Sequence, residues 1–146
     1  MKAITILITL LVFFPAKAQT VRDATRHGEK LYFVKDYTLR KENSYGKKLL
    51  FWDGRSLREE NRYGKRLFFI DGNKVRLENR HGETIWFFDG YTIRKEHQSG
   101  QRMFFLDGPV LRHENQYGDA IYYFEGIPDK WVLVAVIHLL KENGTS

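Results

Sequence analysis

The sequence predicts an all-β protein, a shallow closed antiparallel meander barrel of about twelve strands around a C-terminal apolar helix. Three observations lead to this fold class. Glycine returns every 18 residues, each period holds short aromatic and β-branched runs, and an apolar segment follows the last period. The 146 residues include 42% apolar and 15% aromatic side chains and no cysteine. This composition excludes a disordered chain and a disulfide framework, and the length suits one domain with its own core.

Residues 1–18 are predicted to be a secretory signal peptide. Lys2 precedes an apolar run that ends at Phe14, and small residues follow at Ala16 and Ala18, the two positions that a signal peptidase reads. A transmembrane helix is the alternative, but it needs about 20 apolar residues. We therefore expect an exported protein, periplasmic or extracellular, with no transmembrane span after cleavage. The net charge of +6 is too small to indicate a nucleic-acid partner.

Residues 19–128 are predicted to form six hairpin repeats of 18 residues. Each apolar run is too short for a helix and is bounded by turn residues, which is typical of a strand. Asp-Gly between two such runs indicates a tight hairpin, because both residues tolerate positive φ. The predicted structural turns are Asp53, Gly54, Asp71, Gly72, Asp89, Gly90, Asp107 and Gly108. A longer turn, also closed by glycine, joins each hairpin to the next, and the strands run from Val21–Thr25 to Ile121–Phe124.

Closure into a barrel is favoured over three other architectures. A left-handed β-helix also has roughly 18 residues per coil, but no six-residue sub-period is visible and Asp-Gly reverses the chain. Propeller blades need about 40 residues. An open sheet would expose two edges and an apolar face, and closure removes both problems.

The sequence is compatible with two strand registers. A two-residue loop places Leu50 and Trp52 on the face of Leu57, whereas a three-residue loop with a glycine bulge places Leu49 and Phe51 there. We favour the second, because a closed symmetric core is expected to demand uniform side chains. It joins the rows Leu49/Leu67/Ile85/Met103, Phe51/Phe69/Phe87/Phe105 and Leu57/Val75/Ile93/Leu111.

Residues 129–142 are predicted to form a hydrophobic helix that fills the barrel and completes the same domain. Between Trp131 and Leu140 only His138 is polar, and a helix that is apolar on all sides belongs inside a protein. Ten such residues span about 15 Å, enough to thread a shallow barrel. A thirteenth strand is the alternative, since valine and isoleucine favour strands. Residues 143–146 are expected to be a disordered tail.

The Asp-Gly hairpins at this spacing, the segment from Tyr122 to Trp131 and the apolar tail resemble the bacterial four-fold β-flower domain proteins. The resemblance covers nearly all of residues 20–140 and implies a shallow, pseudo-symmetric barrel with hairpin petals. Four petals would match the four intact Asp-Gly units. The general plan is also similar to that of tubby-like and scramblase-like barrels. The resemblance implies a fold and no established activity, so it supplies no catalytic residues.

The candidate ligand or membrane face combines an aromatic row with an arginine row. In the favoured register both rows point outward, and a large exposed apolar patch marks a partner or membrane surface. The candidate residues are Leu50, Phe68, Trp86, Phe104, Tyr122, Arg58, Arg76, Arg94 and Arg112. We expect the Arg-x-Glu motifs to pair across strands as a salt-bridged face. An anion site for phosphate or a carboxylated glycan is the alternative.

No catalytic or metal-binding constellation interrupts the repeat. One carboxylate per turn is a poor supply of calcium ligands, and the five histidines show no metal-ligand spacing. We therefore expect no metal, no cofactor and no enzymatic activity. The predicted function is a binding or scaffolding role at the bacterial envelope, with a lipid, glycan or protein as partner. Lipid-surface binding and a small hydrolase are the alternatives.

Overall fold

The computed structural model describes residues 18–144, so the predicted signal peptide, apart from Ala18, lies outside the described residues. Twelve strands are followed by one helix. In chain order these are β1 Gln19–Asp23, β2 Lys30–Lys35, β3 Thr38–Lys41, β4 Lys48–Trp52, β5 Ser56–Glu59, β6 Arg66–Asp71, β7 Lys74–Leu77, β8 Thr84–Asp89, β9 Thr92–Lys95, β10 Arg102–Asp107, β11 Val110–His113, β12 Ala120–Phe124 and α1 Lys130–Glu142. Strands of four to six residues make a shallow wall.

The strands form a closed antiparallel meander, as predicted. Each strand pairs with its neighbours in sequence, and β1 pairs with β12 to close the barrel, with Val21 opposite Phe124. Closure leaves no free sheet edge for another chain to extend. The tight hairpin turns lie at one rim of this barrel and the longer turns at the other, and we call these the hairpin rim and the loop rim.

The tight hairpins use two-residue loops. In the hairpin between β6 and β7, Asp71 pairs with Lys74, so Gly72 and Asn73 are the central loop residues. Gly72 has a φ of 61°, and glycine at the first central position is typical of the type II′ turn, whose twist matches that of the flanking strands. At Asp71, Asp89 and Asp107 the aspartate of Asp-Gly is therefore the last strand residue, whereas β4 ends one residue before Asp53.

The favoured register is wrong, and the side chains follow the two-residue alternative. Leu57 shares the inner face with Leu50 and Trp52, since Trp52 lies opposite Leu57 and Leu50 opposite Glu59. The inner rows are Val21/Leu39/Leu57/Val75/Ile93/Leu111, Tyr32/Leu50/Phe68/Trp86/Phe104/Tyr122 and Val34/Trp52/Ile70/Phe88/Leu106/Phe124. Two of these rows are mixed in shape because they pack around a single helix, which has no six-fold symmetry. The uniform phenylalanine row lies on the outer wall.

A β-bulge recurs in all six pairings across the long turns. Between β5 and β6, Leu57 lies opposite Phe68 and Arg58 opposite Arg66, which leaves Leu67 as the extra residue. The extra residues are Leu31, Leu49, Leu67, Ile85, Met103 and Ile121. A bulge bends its strand and increases the local twist. Six bulges in the same phase therefore distribute the curvature of the wall evenly.

The helix α1 fills the barrel interior. Trp131 to Ile137 are buried without interruption, and they form one cluster with the three inner rows. At the hairpin rim Trp131 stacks on Trp52 with ring centres 6.2 Å apart, and Lys130 Nζ donates to the Gly72 carbonyl at 2.8 Å. Lys141 Nζ lies 4.9 Å from the ring centre of Trp86. The segment is a helix and not a thirteenth strand, because twelve strands already pair fully and the lumen requires a compact rod.

The C-terminal end of α1 is closed by residues that were expected to lie in a disordered tail. The Asn143 backbone N–H donates to the Leu139 carbonyl at 3.0 Å, and Gly144 N–H donates to the Lys141 carbonyl at 3.2 Å. The remaining two residues of the chain lie outside the described range. Within residues 18–144, no helix has both the length and the apolarity to cross a membrane.

Candidate functional site

The predicted aromatic face lies inside the barrel, so its assignment to the solvent side is wrong. Phe104 and Tyr122 are each only 4% exposed, and the other three members of the row are also buried. The edge of the Phe68 ring meets the His138 ring of α1, with ring centres 5.2 Å apart. The whole row thus covers the helix and offers no exposed aromatic face on the outer wall: Leu50, Phe68, Trp86, Phe104 and Tyr122.

The arginine row lies on the outer wall and clamps the two kinds of turn together. Arg58 Nε donates to Asp53 Oδ2 at 2.7 Å, and its Nη1 donates to the Gly64 carbonyl at 3.0 Å. Arg76, Arg94 and Arg112 make the same contacts with the equivalent aspartates and glycines. The arginine row is salt-bridged as expected, but to the hairpin aspartates and not to the glutamates of Arg-x-Glu motifs on neighbouring strands. Those glutamates adopt left-handed turn conformations, with φ between 61° and 65°.

The hairpin aspartates are therefore partners of arginine. Partial burial by itself would raise the pKa of the Asp53 carboxyl, but hydrogen bonds from Ser56 N–H, the Arg58 guanidinium and Arg55 N–H outweigh it and hold that pKa below its usual range. A carboxylate stabilised in this way has little remaining capacity for a metal ion. Among the described residues, no group of three or more histidine, aspartate or glutamate side chains could hold one.

The interior supplies no polar constellation either. Every buried side-chain nitrogen and oxygen in the described part of the chain has a hydrogen-bond partner. Burial lowers the pKa of the His138 imidazole, while the carboxylates of Glu142 and Glu59 oppose that shift. His138 Nε2 lies 3.4 Å from Glu142 Oε2 at the loop rim. These contacts account for the one polar group in the middle of the helix.

A strongly charged concave surface is a groove on the outer wall across β5, β6 and their turns. It has a volume of about 1060 Å³, and Phe69 of the uniform outer row forms part of its floor. Five arginines line it, against two aspartates. The arginines are Arg55, Arg58, Arg62, Arg66 and Arg80, and the aspartates are Asp53 and Asp71. We call this surface the arginine groove.

Four of these arginines carry charge that no acid neutralises. Arg58 is paired with Asp53. Asp71, the other aspartate of the groove, is paired with Arg76, which lies outside the groove. Arg55, Arg62, Arg66 and Arg80 are exposed and form no ion pair within residues 18–144.

The register also places two guanidinium-bearing residues directly opposite each other. Arg66 on β6 lies opposite Arg58 on β5. Like charges directly opposite each other on neighbouring strands are destabilising. The Asp53 carboxylate already offsets the charge of Arg58, so Arg66 is the member of this pair that can offer its fork to an anion. The same opposition recurs between Arg94 and Arg102.

The repeat offers an internal comparison for this groove. Two units further along, a smaller groove of about 270 Å³ is lined by Phe105 and Arg102, the equivalents of Phe69 and Arg66. Gln116 and Tyr117 replace Arg80 and His81 there, so it holds one arginine instead of five. The charge is therefore a property of one sector of the wall and not of the fold.

The candidate cations escaped the sequence analysis because they occupy the variable positions of the repeat. The row of Arg58, Arg76, Arg94 and Arg112 is invariant, and it is structural. Arg62 and Arg66 correspond to Gln98 and Arg102 two units later, and to Arg80 and Thr84 in the next unit. A comparison of units for cations that appear in only some of them would have marked this sector.

No protein-family model, curated protein or solved structure matches this chain significantly. The resemblance to β-flower proteins accordingly stays a prediction.

Proposed function

We propose that this chain is an exported, non-enzymatic binding protein that recognises an anionic ligand of the bacterial envelope in the arginine groove. One observation carries the proposal: four exposed arginines without acidic partners converge on one concave surface, whereas Arg58, Arg76, Arg94 and Arg112 are each paired with an aspartate. Arginine forks fit carboxylates and phosphates because they offer two parallel donors.

The geometry favours binding over the two alternative functions. The lumen is filled by α1, which leaves the outer wall as the surface for a partner. The aromatic row suggested for the lipid-surface alternative is buried, and the phenylalanine row that lies on the outer wall in its place is half-buried. No observation on residues 18–144 specifically favours a hydrolase.

A binding measurement with polygalacturonate, a carboxylated polymer, tests this proposal. The repeat itself supplies substitutions that the fold accepts: Arg62→Gln copies Gln98, and Arg66→Thr copies Thr84. The double variant is expected to weaken binding by at least about tenfold, because it removes two charge-assisted contacts. Binding of the native protein should also weaken as salt is added, since salt screens exposed charges.

The matched control removes two cations from other parts of the wall. Arg26→Ser copies Ser44, and Arg102→Thr again copies Thr84, so the net charge falls equally. This control should bind nearly as well as the native protein. Equal loss in both double variants would reduce the interaction to overall charge and contradict the proposed groove. Absence of binding to polygalacturonate and to polyphosphate would contradict anion recognition altogether.

A further inference from the structure

A second groove lies beside the arginine groove at the hairpin rim, where the outer-wall residue Phe51 and the inner-row residue Trp52 both reach it. It has a volume of about 570 Å³ and is lined by Tyr37, Phe51 and Trp52, together with Asp53, Gly54 and Arg62. The last three residues also line the arginine groove. The two grooves are therefore contiguous, with Arg62 reaching into both.

The two halves of this surface differ in chemistry. The aromatic half presents Tyr37, which is 63% exposed, and the half-buried rings of Phe51 and Trp52. Its only cation is Arg62. The other half presents the unpaired guanidinium groups. A ligand that fills both must combine apolar ring faces with negative charge, at a spacing of about two strands, or ~10 Å.

We infer that the continuous surface binds a chain of an acidic polysaccharide, a uronic-acid polymer, with one sugar against the aromatic half and the carboxylate of another in the arginine groove. This inference rests on the proposed function and specifies its ligand class. A uronate ring carries C–H faces that pack on aromatic rings and a carboxylate that matches the arginine fork. A phosphate polymer supplies the charge, but it offers no ring to the aromatic half.

The experiment compares galacturonate monomer, trimer and hexamer, together with polyphosphate of matched charge. Tyr37→Asn removes the exposed ring and places there the residue that Asn73 supplies at the same repeat position; Tyr37 has a φ of 62°, which asparagine tolerates. Tyr91→Asn is the matched control, because Tyr91 holds that position in another hairpin, is 69% exposed and lies outside both grooves.

The native protein should bind the hexamer more tightly than the monomer. Tyr37→Asn should weaken hexamer binding about fivefold and leave the monomer and polyphosphate unchanged, whereas Tyr91→Asn should change none of them. If the affinity for galacturonates does not rise with length, or if Tyr37→Asn has no effect on the hexamer, the glycan inference is overturned while anion binding in the arginine groove stands. If no anion binds, the proposed function fails with it.

Discussion

Replacing Gly82 with alanine is expected to be far more damaging than replacing Gly90, although both are turn glycines of the same repeat. Gly82 closes a long turn, and a Cβ there would lie 1.8 Å from the Leu77 carbonyl oxygen and 3.1 Å from the Asn79 oxygen. Comfortable contacts with carbon begin near ~3.5 Å. The backbone of the turn must therefore move.

The cost at Gly82 follows from what that movement breaks. A forced backbone shift in a packed region costs about 1–3 kcal/mol. It also strains the hydrogen bond from Gly82 N–H to the Asn79 carbonyl, 2.9 Å, and the one from Arg76 Nη1 to the Gly82 carbonyl, 3.2 Å. Each is worth about 1 kcal/mol. We expect the free energy of unfolding to fall by about 3–5 kcal/mol.

Gly90 supplies the control. A Cβ there meets nothing within 4 Å, and the only obstacle is the φ of +62°. Holding alanine at this sparsely populated backbone conformation costs about 1–3 kcal/mol, partly offset by the ~0.5–1 kcal/mol of chain entropy that glycine loses on folding. Gly90→Ala is thus expected to cost about 1 kcal/mol.

Urea unfolding followed by tryptophan fluorescence measures both variants, since Trp86 and Trp131 are buried and report on wall and helix together. Gly100→Ala should reproduce Gly82→Ala, because its Cβ would also lie 1.8 Å from a carbonyl oxygen. Equal costs for Gly82→Ala and Gly90→Ala would refute the division of the glycines into a sterically required class and a φ-required class.

Two further predictions concern pH. The folded-state pKa of Asp53 lies below its unfolded value of about 3.9, so its contribution is complete above that pH and is lost as the pH falls through the folded pKa. Asp53→Asn should lower the free energy of unfolding by about 0.5–1 kcal/mol at pH 7 and by progressively less in acid, as urea titrations at several pH values would measure. Asp71→Asn should lower it less, because the Asp71 contact with arginine is longer, at 3.5 Å. A loss for Asp53→Asn that does not depend on pH would contradict this reasoning. Burial lowers the pKa of His138 against Glu142 and Glu59, so the unfolded chain binds the proton first and stability should fall as the pH drops below about 6.5. His138→Gln should flatten that slope in thermal melts between pH 7.5 and 5, and an unchanged slope would assign it to other groups.

The sequence was informative about this architecture because its units repeat without insertion. A constant period places the turn glycines, the hairpin aspartates and the paired arginines at equivalent positions, so the hairpin structure inferred for one unit applies to the others. The helix was predictable because a run with a single polar residue, His138, needs to be surrounded by other apolar residues. The chain offers a barrel of matching depth for it.

The register was not predictable from the same pattern, because a symmetric sequence does not imply a symmetric environment for its side chains. The varied row that includes Leu50, Trp86 and Tyr122 packs around one asymmetric helix, whereas the uniform Phe51 and Phe69 row faces outward. A side-chain period of two means that a change of one residue in the loop exchanges the two faces. With the two faces exchanged, the aromatic row that was predicted to be a ligand face lies inside the barrel.

The sequence by itself determined the repeat, the strand count, the closure and the apolar helix, because the period and the hydrophobic pattern are local properties that can be recognised in each unit separately. Only the tertiary structure decided which rows face the helix, which acid each arginine meets and where unpaired charge collects. Strand β5 separates Arg55 from Arg62, and β6 and β7 separate Arg62 from Arg80. Their common groove exists only because neighbouring hairpins lie side by side on the wall. Such convergence depends on register and turn geometry, which are set by the packing of the whole barrel.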